Sequence, residues 1–340
     1  MTIIRFGIDL AKSSFAVCGV DTSGKIVLRK TLKREKLLEF FANRPPAIVA
    51  MEAGSGAHHW ARELRGLGHD ARIIDPRLVA PYRHQGHSGK NDFNDAVAIC
   101  EAAGRPQMRF IPVKSKEQQA ILLVHRLRQA CVVEHTRLVN RLRGFLAEFG
   151  IVVPKGANTF KDRWPIIRQR HDQNLPALAW ETLDALYAKL GELHQQVLAY
   201  DRQINAFVRE DERAKRLAQV NGIGPITASA IVATIGNGHD FRNGRQFAAW
   251  LGLVPRQHST GGVQRLGRIT KRGDTYLRTL LVHGARSELM LTARRCDHKS
   301  TWAEALKTTK SWNRAAVALA NKHARIAWAL LANDQSYRPA

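Results

Sequence analysis

The chain has 340 residues, 44% hydrophobic and 24% charged, and its 53 Lys and Arg against 29 Asp and Glu give a formal net charge of +24. An excess of this size repels itself unless a polyanion shares the surface, so nucleic acid is the first-choice partner. The sequence carries neither a long uncharged apolar run nor a signal-peptide pattern, and Cys18, Cys100, Cys131 and Cys296 are scattered without CxxC pairing. It therefore reads as a soluble, cytoplasmic protein without zinc or disulfides, and its length allows more than one core.

In chain order, "IIRFGIDLA", "SFAVCGVD" and "KIVLRKTL" are β-branched runs around the turn signal "TSG", and they predict a three-strand meander. "REKLLEFFANR" has helical spacing, "PAIVAMEA" is a short apolar strand, "GAHHWARELRGLG" is a helix stopped by glycine, and "HDARIID" is one more strand. This order predicts a mixed α/β sheet. From about Ser115 two long amphipathic helices follow, "EQQAILLVHRLRQACVVEHTRLVNRLRGFLAEFG" and "ETLDALYAKLGELHQQVLAYDRQINAFV", with "PKGANTFKDRWPIIRQRHDQNLP" as a loop region between them. They predict an antiparallel hairpin or coiled coil. Arg126, Arg128, Arg137, Arg141 and Arg143 stud the first helix, where they serve either nucleic-acid contact, for which Arg126, Arg137 and Arg141 are the candidates, or a solvated face.

"LAQVNGIGPITASAIVATIG" resembles a helix-hairpin-helix, with Gly222 and Gly224 in the turn and a new helix from Pro225. Such glycines let backbone approach a phosphate, and the helix start offers free N–H groups; an ordinary helical turn is the alternative. Beyond "GRQFAAWLGLVP", the stretch "RQHSTGGVQRLGRITKRGD" reads as a glycine-rich loop before the helix "GDTYLRTLLVHGARSELM". It sets Ser259 and Thr260 among Arg256, His258, Arg265, Arg268, Lys271 and Arg272. A serine needs a base, a metal or a strong field to act as a nucleophile, so the loop either reacts or only grips phosphate.

Acids fall at strand ends and a helix start. Asp9 closes the first strand and Glu52 the fourth, while "GKNDFNDAVAIC" places Asp92 and Asp95 on one helical face. Clustered carboxylates of this kind suit Mg²⁺; singly, Asp92 could be an N-cap and Asp95 a first-turn acid favoured by the helix dipole. The arrangement resembles the ribonuclease-H-like fold, and more closely the RuvC-like resolvases. "GIDLAKSS" also fits the sugar-kinase and actin-like ATPases, but the further Asp-x-Gly-like match, "DTSG", reads as a hairpin turn.

"GIDLAK", "AMEAGSG", "KNDFNDA", "VNGIGPITASAIVATIG", "FAAWLGLVPRQHSTGG" and "RITKRGDTYLRTLL" occur in the order found in the DEDD-type serine transposases of the IS-one-ten insertion-sequence family. The "RQHSTGG" form is similar to its eleven-eleven subgroup, and Piv-type invertases share the plan. The resemblance covers nearly the whole chain. It implies a RuvC-like α/β domain over residues 1–112, a helical coiled-coil connector over 113–210, and a mainly α C-terminal transposase domain over 211–340 that carries the helix-hairpin-helix and the serine loop. It further implies Asp9, Glu52, Asp92 and Asp95 as ligands of Mg²⁺, and Ser259 as the nucleophile that joins DNA. Aligned from "GLVP" the family's serine falls on Thr260, and from "RITKRGD" on Ser259; Ser259 is preferred because a primary hydroxyl attacks with less hindrance.

The partners implied are donor and target DNA, a non-coding bridge RNA, and a homodimer that pairs into a tetramer, all in the nucleoid-associated cytoplasm. With acids and serine in separate domains, a composite site between subunits is expected. Two other readings remain open at this point: a RuvC-like nuclease that uses water, and a non-catalytic nucleic-acid scaffold.

Overall fold

The structure, a computed structural model, describes residues 2–83, 91–155 and 157–338. It divides into two compact units, Met1–Lys116 and Glu117–Ala340.

The first unit is a six-stranded mixed sheet in the order β3-β2-β1-β4-β5-β6. Strands β1 (Arg5–Leu10), β2 (Ser14–Val20) and β3 (Ile26–Lys33) form the expected antiparallel meander. The "DTSG" segment is its β2–β3 turn, where Asp21 Oδ1 accepts hydrogen bonds from the Ser23 and Lys25 N–H groups. β4 (Ile48–Glu52) and β5 (Asp70–Ile74) add on in parallel, and β6 (Phe110–Ile111), too short to show in the sequence, closes the edge antiparallel. Helices α1 (Leu37–Ala42) and α2 (Ala57–Gly66) bring Leu37, Phe41, Trp60 and Leu64 into one core with Phe6, Ile8, Val49 and Met51. On the other face lie α3 (Pro76–Val79) and α4 (Asp92–Ala103), with Ala98, Ile99 and Ala102 against Ala50 and Ile74.

The second unit is mostly helical. α5 (Lys116–Glu148) and α7 (Ala177–Glu210) run antiparallel, as the pairs Arg128–Asp201, Cys131–Gln196 and His135–His194 require. Their far half packs Leu138, Leu142 and Leu146 against Trp180, Leu183 and Leu190. Of the large apolar residues along α5, Leu123, Leu127, Val133 and Phe145 are exposed.

The segment between them, expected as a loop, contains a further helix, α6 (Ala157–Arg170), with Pro165 inside it. Proline has no N–H for the carbonyl four residues back. The Tyr187 hydroxyl donates to that carbonyl, Lys161 O, at 3.4 Å. Phe160, Trp164 and Ile167 then bury one helical face; their i, i+4, i+7 spacing is the signal that a reading centred on the proline passes over.

The remaining helices, α8 (Glu212–Ala218), α9 (Pro225–Ile235), α10 (Gly244–Trp250), α11 (Thr275–Leu289), α12 (His298–Thr309) and α13 (Trp312–Ala332), supply most of a large apolar core. A two-stranded sheet, β7 (Pro255–Gln257) with β8 (Leu266–Ile269), separates α10 from α11. No helix among the described residues is long and apolar enough to cross a membrane.

Candidate active site

Strand pleating decides where the first acids point. Gly7 pairs with Ala50 across the parallel β1–β4 ladder, so Asp9 and Glu52, two residues on, project to the same face as those small residues. That face receives α4, and Gly7 lets it approach. A Cβ on Gly7 would overlap Ala96 O and stand 2.5 Å from Cys100 N. Close seating of α4 on β1 brings its first turn to the strand ends.

Asn91, not Asp92, caps this helix: its side chain accepts from the Phe93 N–H at 3.0 Å. Asp92 is therefore not the N-cap, and it is exposed. Asp95 is ion-paired, with Oδ1 2.7 Å from Arg83 Nε. The same guanidinium reaches Glu52, its Nη2 2.6 Å from Oε1. Burial pushes the Glu52 carboxyl above the usual carboxylate range, and the charges of Asp95 and Asp9 push it further against the pull of Arg83. Thus Asp9, Glu52 and Asp95 share one electrostatic neighbourhood.

Among the described residues, no group of three or more His, Cys, Asp or Glu side chains is arranged to hold a metal ion. Glu52 and Asp95 close round a guanidinium instead, and Arg83 is a participant that sequence reading missed. Lys90, which opens the "KNDFNDA" motif, lies outside the described residues.

In the second unit the serine stretch is not a loop but the β7–β8 hairpin. Gly261 and Gly262 have φ of 55° and 79°, and Val263 N–H donates to Thr260 O at 3.1 Å. Two successive positive φ values make a type I′ turn, which suits the twist of a hairpin. A ladder bond, His258 N to Arg265 O at 2.9 Å, continues down the strands. The polar run lacks the apolar alternation that marks a half-buried strand, because every residue from Pro255 to Arg268 is exposed. Ser259 Oγ accepts from Gln257 Nε2 at 2.9 Å and from Arg265 N–H at 3.4 Å. At the base, buried Arg278 donates to Leu251 O at 3.0 Å and to Arg272 O at 3.3 Å. A fixed base thus carries an exposed, oriented hydroxyl beside Arg256, Arg265 and Arg268, with Lys271 and Arg272 also exposed.

The "GIG" turn joins α8 to α9. Gly222 has φ +85°, and behind it lies a buried charged cluster that sequence reading also missed. Glu288 of α11 pairs with Lys299 of α12 at 2.8 Å and with His323 Nε2 of α13 at 2.6 Å, while Lys299 donates to Asn221 O at 3.1 Å. Burial pushes His323 below its ordinary range. A neutral ring with hydrogen on Nε2 agrees with its Nδ1, which has no hydrogen-bond partner among the described residues: an unpaired acceptor is easier to bury than an unpaired charged N–H. Lys299, with Arg295 Nη1 farther off at 3.9 Å, thus carries the charge that balances Glu288. Gly224, by contrast, is exposed and has φ −78°.

The long helices divide their arginines. Arg128 is held by Asp201 and Arg143 by Pro154 O. Arg126, Arg137 and Arg141 are exposed and at their spacing fall along one stripe of α5.

Sequence comparison places both regions. Residues 6–151 match the DEDD transposase model of IS110 elements, and residues 214–299 match the model described as Transposase IS116/IS110/IS902 family. The chain is 51% identical to a probable family 20 transposase of Pseudomonas aeruginosa, over the full length of both. It is 40% identical to the transposase for insertion sequence element IS1111A of Coxiella burnetii, over 98% of this chain and 90% of that protein. Identity to the transposase for insertion sequence element IS1328 of Yersinia enterocolitica is 41%, over 96% of each. With an α/β unit that carries the acids and a helical unit that carries the serine hairpin, the chain belongs to the IS116/IS110/IS902 family of insertion-sequence transposases and has its DEDD-type catalytic domain.

Proposed function

We propose that this transposase is an RNA-guided site-specific DNA recombinase that cuts and rejoins DNA through a covalent Ser259–DNA intermediate. The observation that carries the reading is the serine hairpin: a fixed base, an exposed hydroxyl and a surround of arginines suit a group that must meet a phosphodiester brought from outside. In the attack Ser259 Oγ would lose its proton and bond to phosphorus, and one DNA oxygen would leave as a hydroxyl. Reversal by a hydroxyl of another strand would release the serine and complete the exchange. The Gln257 amide and the Arg265 N–H would hold Oγ in place. Arg256, Arg265, Arg268, Lys271 and Arg272 would bind the phosphate and the charge that builds on it.

Asp9, Glu52, Asp92 and Asp95 would hold Mg²⁺. The donor set is all oxygen, the ligand type a hard dication takes, and two of its members, Glu52 and Asp95, already draw in a guanidinium. Bound there, the ion would supply Lewis-acid polarisation of the phosphate. The RNA guide, a bridge RNA from the element's own non-coding end, is supported by the +24 charge and the α5 arginine stripe. Gly224, at the start of α9, and Gly222 belong to a helix-hairpin-helix that would hold nucleic acid without reading sequence. The α5–α7 hairpin serves as the connector, and two dimers join to form the synaptic tetramer.

The test is an adduct assay on a suicide DNA substrate. Wild type should give a protein–DNA adduct that survives denaturation, Ser259→Ala should bind nucleic acid without forming it, and Thr260→Ala should retain it. An adduct from Ser259→Ala together with its loss in Thr260→Ala would transfer the role to Thr260. Cleavage without adduct in every variant would make water the nucleophile.

A further inference from the structure

We infer that Arg83 is a built-in, displaceable counter-ion for the DEDD acids, which stabilises them before a metal loads and competes with the metal for two of its ligands. This rests on the metal reading of the acids given above.

The geometry points to competition more than to support. Arg83 donates Nη2 to Glu52 and ion-pairs Asp95 through Nε, so the edge that a single carboxylate usually takes in a bidentate pair is split between acids from α4 and β4. Each acid thus receives one direct contact from the guanidinium where a pair could give two. The contacts of 2.6 and 2.7 Å are also longer than the roughly 2.1 Å at which Mg²⁺ holds oxygen. A dication that takes the Glu52 and Asp95 oxygens takes the same atoms that the guanidinium edge now contacts, so the two cations compete for them.

Exposure makes the exchange feasible. The Arg83 side chain is 40% exposed, against 20% for Glu52 and 15% for Asp95. The arginine can swing into solvent without opening a core, whereas the two acids are more firmly enclosed. Without either cation, Glu52 and Asp95 would lose the positive charge that both now contact. Arg83 thus keeps α4 seated against β1 and β4 while the site waits for its ion, and it sets a threshold that the ion must exceed.

Mn²⁺ binding to the metal-stripped full-length protein, followed by loss of the free-ion resonance in electron paramagnetic resonance, tests this without any DNA reaction. Arg83→Ala, or Arg83→Gln if the alanine variant folds poorly, should bind Mn²⁺ about tenfold tighter or more than wild type, since a charge-assisted contact no longer has to be broken. In chelator the same variant should melt below wild type, and Mn²⁺ should raise its melting temperature by more. Asp95→Asn should lose the site in either background. Equal or weaker Mn²⁺ affinity in both Arg83 variants, with Asp95-dependent binding intact in wild type, would overturn the inference and leave the metal reading standing. Absence of Asp95-dependent binding in every protein would overturn the metal reading and the inference with it.

Discussion

Replacing each glycine of the "GIG" turn by alanine should have opposite consequences. At Gly222 the backbone has φ +85°, where an L-residue is strained by about 1–2 kcal/mol. A Cβ there would also overlap His323 Cε1 and stand 2.7 Å from Glu288 Oε2. Both belong to a cluster buried on every side, so they have little room to retreat, and overpacking of this kind costs about 1–3 kcal/mol. Gly222→Ala should therefore destabilise the second unit by about 2–5 kcal/mol, a fall of roughly 4–20 °C in melting temperature for a unit of this size. At Gly224 a Cβ would meet nothing within 4 Å, and φ is ordinary. Gly224→Ala should stay within about 1 kcal/mol of wild type, the weaker N-cap offset by the lower entropy of the unfolded chain. If Gly224 is bare so that backbone can approach a phosphate, that variant should instead lose nucleic-acid affinity. Thermal melts and fluorescence anisotropy at one fixed salt concentration separate the two. Equal melting losses in both variants, or a Gly222→Ala melt within about 2 °C of wild type, would refute the reasoning.

Three further outcomes are expected. Asp9→Ala, Glu52→Ala, Asp92→Ala and Asp95→Ala should each abolish strand exchange yet leave RNA binding largely intact; full exchange activity in Asp9→Ala would remove it from the metal site. Affinity for RNA or duplex DNA should fall steeply with salt, and the triple change of Arg126, Arg137 and Arg141 to glutamine should reduce the log–log slope by about 2 to 3; an unchanged slope would assign the stripe to solvation. His125, hydrogen-bonded to Tyr276 and Ser229, has its pKa lowered to about 4 by burial and then by Arg128. The unfolded chain binds the proton more readily, so this contribution is full above pH 6.5 and is lost as pH falls toward 4. From a difference of 6.5 − 4 it reaches at most about 3 kcal/mol. Urea unfolding at pH 7 and pH 5 should show about 2 kcal/mol of that loss, and His125→Gln should flatten it; an equal pH dependence in both proteins would rule His125 out as its source.

The first unit was legible because its strands are β-branched runs with acids at their ends, and both Asp9 and Glu52 stand where those runs stop. What escaped the sequence was of four physical kinds. Arg83 follows a short turn without periodicity, and its role depends on partners 31 and 12 positions away. Glu288, Lys299 and His323 come from three separate helices, and a charged residue in an amphipathic pattern reads as surface until its partners are known. The serine hairpin is exposed on both faces, so its strands are set by turn geometry and ladder bonds that hydropathy cannot register. Pro165 concealed α6 because the carbonyl it orphans is satisfied by a tyrosine from another helix.

The cluster behind the "GIG" turn also bears on the order of events during synthesis. Glu288 and Lys299 both lie within the matched residues 214–299, but His323 comes from α13, well beyond them. A chain still leaving the ribosome, with residues 312–332 inside the exit tunnel, would carry Glu288 without its histidine and an incompletely enclosed lysine. Gly222 would then face a solvated gap in place of a packed wall. The turn is therefore set only when translation has passed α13, so a prematurely terminated product that retains the acids and the serine hairpin would still lack a finished turn.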